Sequence, residues 1–298
     1  MKRPVPAPTV ASRITGILRS GAIMLVLALA VGLTVRYLPA SPLRGQTPAW
    51  VGTGAGGRPA GAPAPSDSPT PLAVRPAQFA LAAQGMAEWS MVDHRTGTVY
   101  GSAGSARLSN SASLVKSWIA ADYLRRRTAA GAEPTEARLA QIRQMIRNSA
   151  NDPATELYAT LGNRASTVRM RTVCRLTDAV PDGDWSTVQF SARDIARLGR
   201  CIAGGRAAGP KWTNWLLGEM RAVTGVGDFG VRDAFADTVR RRIAIKNGWV
   251  VRETGMYEVN CLAIGDGWSV GVVTRYPARL DYTYGANLCK KVGAKLRA

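Results

Sequence analysis

The spacing of apolar and polar positions changes along the chain, and each change predicts an element. Residues 87–92 alternate and run into Asp93-His94-Arg95-Thr96-Gly97, a polar turn with glycine, before Thr98-Val99-Tyr100. Alternation interrupted by such a turn predicts a β-hairpin. A helical middle follows, with apolar residues three and four apart in 113–125 (Leu114, Trp118, Ala121, Leu124), 135–147 (Leu139, Ile142, Ile146) and 191–202 (Ile195, Leu198, Ile202). Ser191-Ala192-Arg193-Asp194 has the form of a capping box, with Asp in place of Glu, and marks the start of the last of these helices. Strand character returns at 242–246, 256–264 and 268–276, separated by turn material that includes Gly265-Asp266-Gly267, and a helix over 284–296 follows. Strands, then helices, then strands and a helix predict an α+β domain, an α/β sandwich. Its antiparallel sheet is built from both ends of the domain, with flanking helices and a helical insertion between them.

Before residue 78 the texture differs. Lys2, Arg3, Arg13 and Arg19 precede an apolar run over 21–35, which Arg36 follows. Positive residues ahead of an apolar run orient it with its N-terminus in the cytoplasm. The run is slightly short for a spanning helix of about 17 residues or more, so a signal-peptide core is the alternative. No clean A-x-A site follows, which favours an uncleaved signal anchor in residues 1–40 over a cleaved signal. On either reading the remainder is exported: anchored outside the cytoplasmic membrane, or secreted after cleavage. Residues 41–77 are rich in Pro, Gly, Ala and Ser without an apolar period, the composition of a disordered linker. The folded domain is expected over 78–298.

A formal net charge of +19 changes the picture of partners. It fits an anionic cell-wall polymer or anionic lipid, and it also fits a genome that writes Arg and Ala freely. No zinc-finger spacing, RNP-like motif or basic heptad accompanies the charge, so no nucleic-acid partner is expected. The cysteines, Cys174, Cys201, Cys261 and Cys289, form no CxxC, and one histidine is too little for a zinc site, so no metal or cofactor is expected. An even number in an exported domain predicts two disulfides. Three pairings are possible, of which Cys174–Cys201 with Cys261–Cys289 keeps each bridge within one region of the fold.

The candidate chemistry starts from a missing base. The single histidine, His94, falls in the predicted hairpin turn, which argues against a Ser-His-Asp triad. Neither a Walker loop nor a dinucleotide fingerprint is present. Ser113-Leu114-Val115-Lys116 offers another arrangement, because residues three apart share a helix face and a desolvated lysine can act as the base for a serine nucleophile. Between residue 78 and the last helix the lysines are Lys116, Lys211 and Lys246, in a chain otherwise written with arginine. Arginine cannot shed its proton, so these positions are set apart. Ser149-Ala150-Asn151 follows an amphipathic helix, and Lys246-Asn247-Gly248 ends a strand ahead of Trp249.

S-x-x-K, S-x-N and K-x-G in this order resemble the serine β-lactamase and penicillin-binding D,D-peptidase superfamily, closest to its class A branch. The resemblance covers nearly all of 78–298. It implies that Ser113 is acylated and that Lys116 takes or relays its proton. Ser149 would pass a proton to the leaving nitrogen, with Lys246 supplying positive charge beside it. Asn151, Asn247, Gly248 and Trp249 would bind substrate, and the backbone N–H groups of Ser113 and Trp249 would form the oxyanion hole. The implied substrate is a β-lactam or a peptidoglycan D-alanyl peptide. Three departures bear on function. Ala150 replaces the Asp usual in class A enzymes, which leaves an S-x-N compatible with peptidases. Asn247 replaces the usual Thr or Ser. The stretch 176–190, where class A enzymes hold a water-activating glutamate, contains none. Asp178, Asp182 and Asp184 are the substitutes on offer, each one methylene shorter. Acylation is therefore expected to survive while hydrolysis of the acyl-enzyme is slow; the alternatives are a true β-lactamase that turns over with one of these aspartates and a non-catalytic module that binds an anionic wall polymer through its basic surface.

Overall fold

A computed structural model describes residues 74–75 and 78–297. The predicted signal anchor, its apolar run over 21–35 and most of the predicted linker lie outside the described residues. The hairpin forms as β1 (Met86–Asp93) and β2 (Val99–Gly101), with Ser90 opposite Gly101. A short β3 (Leu108–Asn110) leads into a 3-10 turn, Ala112–Val115, and then α1 (Lys116–Ala129). The helical middle continues with α2 (Glu136–Arg147), α3 (Asp152–Thr160) and α4 (Arg164–Cys174). After β4 (Gln189–Ser191) come α5 (Ala192–Ala203), α6 (Pro210–Arg221) and the single turn α7 (Asp237–Arg240). Strands β5 (Ala244–Val251), β6 (Met256–Gly265) and β7 (Trp268–Pro277) and helix α8 (Asp281–Leu296) complete the body.

The strands form a five-stranded antiparallel sheet in the order β2-β1-β7-β6-β5. The N-terminal hairpin thus joins the C-terminal strands through β1 and β7, as the strand–helix–strand order predicted. Side-chain alternation assigns the two faces. Leu262 and Ser269 point toward α5, where they meet Gly199, whereas Val259, Cys261 and Tyr276 point toward α8. Trp89, Trp118, Trp268, Tyr158 and Tyr276 are among the largest side chains buried in the core.

Both disulfides take the expected pairing, Cys174–Cys201 and Cys261–Cys289, with sequence separations of 27 and 28. The first ties the end of α4 to α5 and the second ties the middle of β6 to the middle of α8, and in the chain-entropy picture each contributes about 3–4 kcal/mol by constraining the unfolded chain. The folded body reaches back beyond the expected boundary at 78. Val74 is buried, bridges to Arg297, and is followed by a hydrogen bond from Arg75 N to Leu296 O at 2.6 Å.

Two expectations need local correction. Ser113 lies on the 3-10 turn rather than on the α-helix, and in that geometry side chains at i and i+3 eclipse. The capping box at Ser191 is half formed. Ser191 Oγ accepts from Asp194 N at 3.1 Å. The Asp194 carboxylate, fully buried, turns instead to the preceding loop and accepts from the N–H groups of Thr177, Asp178 and Ala179.

Candidate active site

The turn that carries Ser113 is fixed from several sides. Asn260, buried on β6, donates to Asn110 O at 2.6 Å and to Ser109 Oγ at 3.1 Å, holding β3 against the sheet. Ser111 N donates to Val188 O, and Ser111 Oγ donates to Trp185 O. Ala112, just before Ser113, adopts a φ of 43, a conformation that costs a non-glycine residue about 1–3 kcal/mol and needs such surroundings to persist. The edge strand β5 presses on the same turn. A Cβ on Gly248 would run into the Ser111 carbonyl oxygen and stand 3.0 Å from Ser113 N, so only glycine lets this strand approach the Ser113 amide.

Lys116 is fully buried. Its Nζ donates to Ser149 O and to Asn151 Oδ1, each at 2.7 Å, and not to Ser113. Burial pushes its pKa down to about 7. A neutral amine has two hydrogens and one lone pair. With both hydrogens committed to Ser149 and Asn151, the lone pair of the neutral form is left without a hydrogen-bond donor. Asn151 precedes α3 without capping it, so its side chain is given over to Lys116. Ser149 adopts a φ of 60, which aims its carbonyl at Lys116 while its hydroxyl meets Lys246 Nζ at 2.9 Å. Burial, and then the charge of Lys116, hold the pKa of Lys246 well below the ordinary lysine value. Ser149 is thus braced between two lysines that arrive from different parts of the chain.

These groups border a cavity of about 710 Å³ lined by Ser113, Ser149, Asn151, Asp184, Trp185 and Trp249, among others. The structure brings Ser113, Lys116, Ser149, Asn151, Lys246, Gly248 and Trp249 together around it. Asn247 differs from the substrate-binding role implied for it. Its Nδ2 donates to Gly227 O and Phe229 O, which ties β5 to the loop before α7, and it does not line the cavity. Trp249 packs edge-on against Phe229 and Tyr282 while lining the cavity. His94 stays in the hairpin turn, bonded to Ser269 and apart from this cavity.

The far wall holds what sequence reasoning missed. Trp185 lies over Lys116, with Nζ 4.6 Å from the ring centroid, and its Nε1 donates to Thr155 Oγ1. An aromatic residue inside a polar, turn-rich stretch is the only signal that pointed to it. Thr155, Tyr158 and Asn163, from α3 and the turn after it, also line this wall. Of the three aspartates, Asp178 pairs with Arg193, which holds its pKa down at about 2, and it lies outside the cavity. Asp182 Oδ1 accepts from Asp184 N, and Asp184, which does line the cavity, uses Oδ1 to accept from Ser186 N.

Among solved structures, the chain is similar to the TLA-3 extended-spectrum β-lactamase, with a TM-score of 0.60 at 12% identity over 70% of this chain and 92% of that one. A variant of the class A β-lactamase of the last common ancestor of Gram-negative bacteria gives 0.57 at 17%, over 71% and 91%. A class A β-lactamase from Mycobacterium abscessus gives 0.56 at 17%, over 71% and 92%. The fold is that of the class A β-lactamases. No protein-family model and no curated protein sequence matches the chain. Within this β-lactamase fold, the loop expected to carry a glutamate instead offers Lys116 an indole face. A cation over an aromatic ring is attracted by about 0.5–2 kcal/mol, but an indole cannot take a proton from water.

Proposed function

We propose that the chain is a serine acyl-transfer enzyme that forms an acyl-enzyme readily and releases it slowly. The observation that carries this reading is the hydrogen-bonding of Lys116, which leaves a single lone pair for the Ser113 proton. Ser113 Oγ attacks the substrate carbonyl carbon as its proton passes to Lys116 Nζ. The oxyanion is met by backbone N–H groups at Ser113 and Trp249, donors commonly worth about 2.7–4 kcal/mol each in the transition state. Ser149 Oγ, accepting from Lys246 Nζ, gives its own hydrogen to the leaving nitrogen as the C–N bond breaks and takes one in turn from the Lys246 ammonium, so that Lys116 ends charged and Lys246 neutral. The product is an ester on Ser113, whose hydrolysis needs a base for water that the Trp185 indole does not provide.

The substrate class that fits is a D-alanyl peptide of peptidoglycan or a related amide or ester, with β-lactams as reactive analogues. One solved neighbour, L2, is a complex with relebactam. Export, with anchoring through residues 21–35, belongs to the same reading. The test is incubation of the protein with a fluorescent penicillin. A persistent covalent label that is absent from Ser113→Ala supports the proposal, and no label on folded wild-type protein refutes it. Because Asp184 lines the cavity, true β-lactam turnover is the second reading. It is supported if the label decays with drug consumption and Asp184→Asn abolishes that decay.

A further inference from the structure

A second cavity, of about 570 Å³, opens away from Ser113 and shares no lining residue with the first. Its walls come from the β1–β2 turn, the end of α4 and the end of α5, and no carboxylate lines it. Four arginines do: Arg175, Arg197, Arg200 and Arg206. Arg197 is compensated, since its Nη1 donates to Asp194 Oδ1 and Thr177 Oγ1. Arg175, Arg200 and Arg206 form no ion pair among the described residues.

The fold concentrates these charges by construction. Arg175 directly follows Cys174 and Arg200 directly precedes Cys201, so the disulfide that joins the cysteines also brings the two guanidinium groups to one place. Arg175 adopts the left-handed conformation at the end of α4, with a φ of 54, a strained position for a residue other than Gly or Asn. Arg200 lies over Gly97, where a Cβ would stand 2.7 Å from Nη1, and donates to His94 O. His94 is held neutral by burial and by Arg200, with its pKa near 4. Ser269 gives its own hydrogen to Ala196 O, so the His94 Nε2–H donates to Ser269 Oγ. Burial and the charges of Arg175 and Arg200 also lower the pKa of Arg206. Surface arginines scattered by composition would sit apart or beside acids. Three uncompensated ones in one cavity repel each other, and an anion removes that repulsion.

We propose that this cavity binds an oxyanion of the phosphate class, carried by a phosphorylated small molecule or repeated along a polyanion. The guanidinium fork favours phosphate, whose oxygens accept paired N–H donors, and the volume exceeds what one phosphate fills. Calorimetric titration of the full chain at low ionic strength with inorganic phosphate, pyrophosphate and tripolyphosphate tests it. The expected result is one saturable site that prefers pyrophosphate to phosphate by at least about tenfold. Arg175→Gln with Arg206→Gln is expected to weaken pyrophosphate binding at least about tenfold. Arg126→Gln with Arg279→Gln, which removes the same charge from exposed positions elsewhere, should stay within about twofold. Affinity that levels off at pyrophosphate indicates a small phosphorylated ligand, and affinity that keeps rising with chain length indicates a polymer. Either supports the site. Absence of saturable binding, or equal loss in both double variants, overturns it.

Discussion

The two walls of the Ser113 cavity are built to different standards of chemistry. On one, Lys116, Ser149, Asn151 and Lys246 form a continuous hydrogen-bonded set with buried lysines of lowered pKa. On the other, the loop before β4 is held as firmly, by the three N–H groups on Asp194, the Tyr158 hydroxyl on Asp182 O and the Asp178–Arg193 pair, yet it presents an indole. Rigidity therefore does not separate the walls; proton-handling does. On the proposed function, one wall would drive bond formation to Ser113, while the other sets an indole, with Asp184 as its one carboxylate on the cavity, where the acyl group must meet water.

The largest effect that would break this comparison is loss of the base. Lys116→Met, close in volume, is expected to slow labelling by fluorescent penicillin by about 10²–10⁴-fold while the protein stays folded. Labelling at the wild-type rate would move the base elsewhere. Next is the loop itself. Asp194→Ala removes a buried acceptor of three backbone N–H groups and is expected to cost about 3 kcal/mol, a Tm fall of about 6–12 °C by calorimetry. An unchanged Tm would show that the loop is not held from this carboxylate.

Trp185→Glu probes the chemistry of the far wall directly. It is expected to speed release of the acyl group about tenfold, and, by placing an opposite charge beside Lys116, to raise that lysine's pKa and slow labelling at pH 7. Decay of the label and its rate of formation, measured on one sample, should move in opposite directions. The smallest effect is the pH profile of the wild type. The neutral amine is the active form and its pKa is about 7, so labelling should be flat above pH 8 and about tenfold slower at pH 6. A rate that falls with rising pH would mean that the charged form acts.

Much of the first wall was legible in the sequence because its information is local or ordered. S-x-x-K encodes its own spacing, and the lysines stood out against an arginine background. The sheet built from both ends followed from the order of periodicities. The second wall was hidden because its content depends on how a loop folds back. Nothing in the spacing of Trp185 places its ring over Lys116, which requires Ser111, Thr155 and Asp194 to fix the loop. Asn247 was misplaced for a related reason. Motif position gives the strand, but the carbonyls of Gly227 and Phe229, which claim its amide, come from a distant stretch of chain.

The bridge between Val74 and Arg297 brings the first and last described backbone contacts of the body to one spot. Tension applied through the chain at Val74 would reach α8 first, and from α8 it would pass through Cys289 to Cys261 in the middle of the sheet. That route is covalent after its first step and does not cross α2 or α3, which flank Ser149 and Asn151. Pulled from that end, the molecule meets the hydrogen-bonded bridge as its first resistance, and only beyond it the strand that pairs with Asn247.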